Sequence, residues 1–453
     1  MNLAATLRGT TYRFRDVRDV MAKANEAKSG DQLAGLAAGS VSERVAAKRV
    51  LAELTLEDLY ENPAVPPEKD AVTRLILEDL QRPVYESLRS WTVARLREHV
   101  LDDAVTGAEL LRLSRGLSSE MIAACAKLMS NLDLIYAARK IRVVVHATNT
   151  VGLEGRLSVR LQPNHPSDSV EGILASTREG LSFGSGDAVI GVNPVTDSPE
   201  QTAAILNAVG DFMRQWRIPT QSCCLAHVTT QMKALEAGAQ VGLMFQSIAG
   251  TEKALRSFGV TLSLLDQAHD MTRRLGQCAG PNVMYFETGQ GSALSADAHE
   301  GVDQMTLEAR NYGLARHYQP FLVNTVVGFI GPEYLYDARQ ITRAGLEDHF
   351  MGKLHGISMG CDACYTNHAD ADQNDLENLE VLLATAGVSF FMGLPMGDDV
   401  MLNYQSTSFH DDAALRQLLG LRPAPEFEAW LEEMGIMAHG KLTARAGDAS
   451  VFG

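Results

Sequence analysis

No long apolar run occurs in this 453-residue chain. The longest stretch without charge, Val381 to Gly397, holds seventeen residues and is broken by Gly387, Gly393 and Pro395. That is short of the ~20 apolar residues a membrane span needs, so no segment is expected to cross a bilayer. Positive charge is scarce as well: 40 Lys and Arg stand against 56 Asp and Glu, a formal charge of −16. A chain this acidic is poorly suited to nucleic acid or an anionic membrane surface. Its six cysteines are too sparse for a disulfide framework and fit a reducing compartment. The opening MNLAATLRGTTYRFRD spreads Arg8, Arg13 and Arg15 through mixed text without an apolar core, so no secretory signal is expected and the chain reads as cytoplasmic.

What is present is the composition of a protein with a core, 45% hydrophobic and 21% charged. Up to about residue 140 the text is helical. SERVAAKRVLAEL is charged and Ala-rich, and Ile122, Cys125, Leu128, Met129, Leu132 and Ile135 recur at steps of three and four. Pro63, Pro66 and Pro67 divide this region into short helices. Beyond residue 150 come eight apolar runs of strand length: LSVRLQP (157 to 163), AVIGVNP (188 to 194), SCCLAHV (222 to 228), VGLMFQS (241 to 247), VMYFETG (283 to 289), VNTVVGF (323 to 329), GISMGCD (356 to 362) and SFFMGLP (389 to 395). Most are thirty to forty residues apart, the length of a strand plus a crossover helix, as in parallel strands buried on both faces. The expected fold is therefore α/β: a (β/α)₈ TIM barrel over 141–435, a mainly helical N-terminal domain over 1–140, and a C-terminal tail over 436–453. An open doubly wound sheet fits the same local pattern, but no strand-helix junction carries a glycine-rich phosphate turn.

Catalytic groups of such barrels gather at the carboxyl ends of the strands. Those positions hold Arg160 and Gln162, Asn193, His227, Gln246, Glu287, Phe329, Asp362 and Met392. No strand end carries Lys, which disfavours a Schiff-base aldolase. Carboxylates and histidine are interspersed with amides rather than gathered as a metal cage, so no metal site is expected. The set suits the gripping of a small polar molecule by hydrogen bonds. Several motifs are weaker. Cys361 and Cys364 with His368 make half a zinc site, the acidic run His368, Asp370, Asp372 and Asp375 lacks the glycine and glutamate of a calcium loop, and Cys223 and Cys224 sit in an apolar strand as packing.

The stretches RLQPN (160 to 164), GVNPVTD (191 to 197), LAHVTTQ (225 to 231), FETGQGSALSA (286 to 296), VNTVVGFIGPEYLY (323 to 336), ISMGCDACYTNHADADQN (357 to 374) and MGDDVMLNYQ (396 to 405) resemble the large, catalytic subunit of ethanolamine ammonia-lyase. KSGDQLAG (28 to 35) and the tail RAGDASVFG extend the resemblance over essentially the whole chain. It implies an adenosylcobalamin-dependent radical lyase that converts ethanolamine to acetaldehyde and ammonia by hydrogen abstraction and amino-group migration. Carried over to matching positions, substrate binding falls on Arg160, Gln162, Asn193, Glu287 and Asp362, with Phe329 and Met392 as apolar walls. Arg160 and Glu287 would be catalytic. Cofactor contacts fall on Pro194, Gln246, Ser295 and Met401. The resemblance further implies a small-subunit partner, an oligomer built on large-subunit contacts, and residence in a bacterial microcompartment.

Glu347 to Gly352 reads E-x-H-x-x-G, close to a motif in which histidine replaces the cofactor's own base on cobalt. Two further strands follow it rather than a separate cobalamin domain, so His349 is expected to be a surface helix residue without contact to cobalt. Two rival readings are a metal-assisted barrel isomerase or lyase, disfavoured by the strand-end groups, and a non-catalytic scaffold, disfavoured because every carried-over residue is present.

Overall fold

The computed structural model describes residues 1–328, 333–400 and 404–453. The chain opens on an antiparallel hairpin, Ala4–Leu7 with Thr10–Arg13, within the region expected to be mainly helical. Arg8 (φ 47°) and Gly9 (φ 84°) both take left-handed backbone, which matches the twist of a tight two-residue hairpin turn. Short helices follow from Val17–Ala24 to Asn131–Lys140. Most of their starts are set by capping side chains: Ser40, Thr55, Thr92, Thr106, Ser118 and Ser130, and likewise Asp16 and Asp70, each accept a backbone N–H of the first turn. Pro63, Pro66 and Pro67 lie between the helices Leu56–Glu61 and Ala71–Glu78, as the sequence indicates.

The eight apolar runs form the eight strands of one parallel sheet: β1 Ser158–Leu161, β2 Val189–Val192, β3 Ser222–Cys224, β4 Met244–Ser247, β5 Met284–Thr288, β6 Leu322–Val326, β7 Met359–Asp362 and β8 Phe390–Gly393. Neighbours in the sheet are neighbours in the chain, and β8 pairs β1 with Met392 opposite Arg160, so the sheet curls into a barrel. The β3–β4 edge carries no ladder. Leu243 N–H donates to Ser222 O at 2.9 Å, and Gly242 permits this approach, since a Cβ there would lie 2.5 Å from that oxygen. The Gln231 amide does the remaining work, accepting from Phe245 N–H at 3.0 Å and donating to the carbonyls of Phe245 (2.8 Å) and Ala226 (2.6 Å).

A helix follows each strand: α1 Val170–Ser182, α2 Pro199–Trp216, α3 Val228–Glu236, α4 Leu262–Leu275, α5 Gln304–His317, α6 Ala338–Leu354, α7 Gln373–Thr385 and α8 Phe409–Leu419. α5 is buried from Gln304 to Arg316, on its polar positions too, because the N-terminal helices Ala71–Glu78 and Ser119–Lys127 cover the side turned from the barrel. The polar residues in this seam are ion-paired: Arg310 to Asp70 (2.7 Å) and Glu120 (2.6 Å), Lys127 to Asp303 (2.6 Å), Arg316 to Asp79 (2.9 Å). At the other end of the chain Phe452 is buried against Trp216 and Trp430, so the tail is docked on the barrel. Among the described residues no helix is long and apolar enough to cross a membrane.

Candidate functional site

Successive side chains of a strand point to opposite faces, so Arg160 and Gln162 at the end of β1 point the same way. Arg160 is 1% exposed. Its Nη1 donates to Glu287 Oε1 on β5 at 2.9 Å and lies 3.6 Å from Asp362 Oδ2 on β7, while Nη2 donates to Gln162 Oε1. Gln162 passes the chain on, its Nε2 donating to Asp399 Oδ2 at 2.5 Å. Asn164 also donates to Asp399 Oδ2, at 3.1 Å, and accepts the Asn193 N–H at 2.8 Å. These residues close a cavity of about 190 Å³ at the carboxyl end of the barrel, lined by Arg160, Gln162, Asn193, Glu287, Asp362 and Tyr404, with Leu225, Phe245 and Val326 as apolar wall. Cavities for drug-sized ligands run ~300–1,000 Å³, so this one suits a smaller guest.

Its charges do not balance. One guanidinium faces the carboxyls of Glu287 and Asp362, with Asp399 behind Gln162. Burial would lower the Arg160 pKa, but Tyr285, Glu287 and Asp362 around it hold it above the ordinary guanidinium range. Burial pushes the Asp362 carboxyl up to about 7; Arg160 opposes the rise and the charge of Glu287 adds to it. Asp362 Oδ1 has no hydrogen-bond partner among the described residues. The site is therefore short of positive charge, which a small cation supplies.

The structure brings together the five polar residues expected to meet substrate. Met392 is buried beside them on β8, its sulfur 3.9 Å from the Tyr404 hydroxyl that donates to it. Phe329 and Met401 lie outside the described residues. Pro194 is half-buried just past β2, and Ser295 is exposed in the short helix Ser292–Ser295 after β5, its hydroxyl donating to Ser292 O at 2.8 Å. Gln246 is nearly buried on β4. Its amide accepts the Val228 N–H at 3.0 Å and donates to Ser247 O at 3.0 Å, and the cavity is lined by Ser247 instead. His227 at the end of its run is the N-cap of α3, held by Thr229 and by the Phe258 carbonyl.

Four contributors were missed by reading strand ends alone. Tyr285 donates to Glu287 Oε1 at 3.0 Å and lies under Arg160, whose Cζ is 5.4 Å from the ring centroid. Its signal was its place two residues before Glu287 on the same strand face. Asn164 comes from the loop after β1, and Asp399 and Tyr404 from the paired two-residue strands Asp398–Asp399 and Tyr404–Gln405 after β8, too short for period-two reasoning.

The weaker motifs resolve into structure. No group of three His, Cys, Asp or Glu able to hold a metal occurs among the described residues. Asp372 caps α7 with Asp375 in a capping box. Burial pushes the Cys224 thiol up to about 12, out of nucleophilic range. The E-x-H-x-x-G motif faces inward on α6: Glu347 pairs with Lys28 (2.7 Å) and Arg343 (2.6 Å), and Asp348 accepts from Gln290 (2.8 Å) and Thr325 (2.8 Å), bracing the ends of β5 and β6 from behind. His349 is a helix residue but not a surface one. It is 2% exposed, because the whole of this helix face is covered, and burial followed by the nearby Lys353 charge keeps its imidazole well below the usual range and neutral.

A profile of the ethanolamine ammonia lyase large subunit family matches residues 12–445. The ethanolamine ammonia-lyase large subunits of Escherichia coli and Salmonella typhimurium are each 60% identical to this chain over 452 residues, covering 100% of both chains.

Proposed function

Because the chain belongs to the ethanolamine ammonia-lyase large-subunit family, we propose that it is the catalytic subunit of an adenosylcobalamin-dependent lyase converting ethanolamine to acetaldehyde and ammonia. One observation carries the assignment of the site: a cavity of about 190 Å³ with one guanidinium against two lining carboxyls, shaped for a small alcohol that is also an ammonium ion. Arg160, Asn193 and Glu287 address the hydroxyl. Glu287, Gln162 and Asp362 address the amino group, and Phe329 and Met392 wall it. Glu287 bridges both ends of the substrate and so fixes which carbon gives up hydrogen.

The mouth fits a large cofactor lying across it. Val195, Met396 and Val400 stand exposed on the loops after β2 and β8, an apolar rim around a polar cavity that a macrocycle would cover. Pro194, Gln246, Ser295 and Met401 would hold it, Gln246 chiefly by fixing the loop beside it. Adenosylcobalamin supplies the carbon radical chemistry that amino-acid side chains lack. The chain's own residues hold and orient the substrate, and the covered mouth keeps water out.

The designation of its relatives as large subunits points to a small-subunit partner, and we infer further an oligomer of large subunits, a microcompartment location and a division into units 1–140, 141–435 and 436–453. The deciding experiment is turnover by the purified chain with the small subunit and adenosylcobalamin, followed as acetaldehyde release. Turnover should need both additions. Absence of acetaldehyde with all components present would refute the reading, and full activity from this chain without the small subunit would refute its dependence on a partner.

A further inference from the structure

The opposite, amino end of the barrel holds a second cavity, of about 380 Å³, where β1 and β8 begin and α6, α7 and α8 end. Its size is within the ordinary ligand range. The charged side chains on its wall are Arg139, Arg142, Arg156 and Lys353 against Glu154 alone, a positive hollow in a chain whose formal charge is −16. Arg156 is engaged elsewhere, by Glu428 and the Pro423 carbonyl. Arg142 meets Glu154 at 2.5 Å, but that carboxylate is largely exposed, and such surface pairs hold weakly.

Lys353 is the telling group. Eight Lys and Arg side chains are buried among the described residues, and seven of them are ion-paired with a carboxylate, as Lys28 is with Glu347 and Arg416 with Asp187. Lys353, 4% exposed, has no such pair. Its Nζ donates to Gly387 O at 2.8 Å and Ala386 O at 3.5 Å, closing the end of α7. Carbonyls satisfy donors without neutralising charge, and burial, with Arg142 adding to it, lowers the ammonium to about 7. Gly387 keeps the floor open, since its φ is +80° and a Cβ there would press to 3.2 Å from Nζ. A lysine that only capped a helix would have its head in water.

We propose that this cavity is a binding site for a small phosphate-bearing anion, seated on Lys353 and gripped at the rim by Arg139 and Arg142. Three cations with one exposed carboxylate call for more than a single negative charge, and guanidinium forks match the oxygens of phosphate. The site faces away from the Glu287 cavity, so its occupant is an effector and not the substrate.

The test is calorimetric titration of orthophosphate and, separately, pyrophosphate into the complete enzyme at constant ionic strength, with chloride as the control anion. Saturable binding of one phosphate species per large chain is expected, weakened about tenfold or more by Arg142→Gln and by Lys353→Met. Arg142 is half-exposed, so Arg142→Gln decides the matter even where Lys353→Met fails to fold. Tighter binding of pyrophosphate assigns a diphosphate, and tighter binding of orthophosphate a monophosphate. Absence of saturable binding, binding no tighter than that of chloride, or binding untouched by Arg142→Gln would overturn the proposal. So would a structure of the assembly in which a carboxylate from another chain fills the cavity.

Discussion

The seam between α5 and the N-terminal helices and the mouth of the barrel both bury charge, but they settle it differently. In the seam every cation has its carboxylate: Arg310 takes Asp70 and Glu120, Lys127 takes Asp303, Arg316 takes Asp79. At the mouth one arginine stands among Glu287, Asp362 and, one step back, Asp399, and Asp362 is driven toward neutrality by its surroundings. A balanced buried network specifies how elements dock. An unbalanced one is a place made for something that arrives with the missing charge. The contrast separates residues of the same type, in the same depth of burial, into those that hold the fold and those proposed to hold the substrate.

The contrast is sharpest at Glu287. Glu287→Gln should lower turnover by more than ~10³, combining the loss of a charged hydrogen bond, ~10 to 150-fold, with about a hundredfold for misplacing the reacting carbon by ~1 Å. The variant should melt close to the parent and still bind cobalamin. Acetaldehyde release near the parent rate would remove Glu287 from the site. Arg310→Met makes the reverse cut. It strands Asp70 and Glu120, so stability in urea should fall by about 3–5 kcal/mol while turnover per folded molecule is kept. A selective loss of turnover there would dissolve the distinction between seam and mouth.

Asp362→Asn should mainly raise KM for ethanolamine, by roughly ten to one hundred and fifty fold. In the parent the Asp362 carboxyl titrates near pH 7, above its unfolded value, and is protonated below that. Since the anion is the form that pairs with an ammonium ion, kcat/KM should rise with pH through about 7, and Asp362→Asn should flatten that limb. A limb unchanged in the variant assigns the titration to another group. The smallest effect on turnover is expected at His349→Ala. Loss of a buried ring should cost about 2–4 kcal/mol of stability, with cobalamin binding of the folded protein intact. Labelling histidine with nitrogen-15 and recording electron paramagnetic resonance of the cob(II)alamin state would expose a protein ligand to cobalt.

The barrel was legible because strands buried on both faces must be apolar throughout, which leaves eight short runs separated by polar helices, and because no strand-helix junction carries the glycine-rich phosphate turn of a doubly wound sheet. The residues proposed to face substrate lie where those runs close, Arg160, Glu287 and Asp362 each breaking an apolar stretch with a charge, and the family resemblance is what singles them out from His227 and Gln246 at other strand ends. What escaped was set by tertiary approach. Asp399 reaches Gln162 across the mouth from 237 positions away, and nothing local marks it. His349 was misplaced for the same reason. Helical periodicity tells which side faces the barrel, but burial of the far side depends on helices more than two hundred residues earlier in the chain, such as Asn131–Lys140 against α6. The hairpin at Ala4–Leu7 was hidden by an Arg-Gly turn where Asn-Gly would have announced it.

Gln231 gives the barrel an uneven circumference. Seven of its joints are backbone ladders, whose length is fixed by the repeat of the peptide. The eighth is spanned by one backbone hydrogen bond and by a glutamine amide acting as a stand-in peptide on three rotatable side-chain bonds. A ring stretches at its softest link. Any widening of the mouth to admit or release a guest is therefore concentrated between β3 and β4, and amide hydrogens there, Leu243 and Phe245 first, should exchange with solvent ahead of those in the other strands.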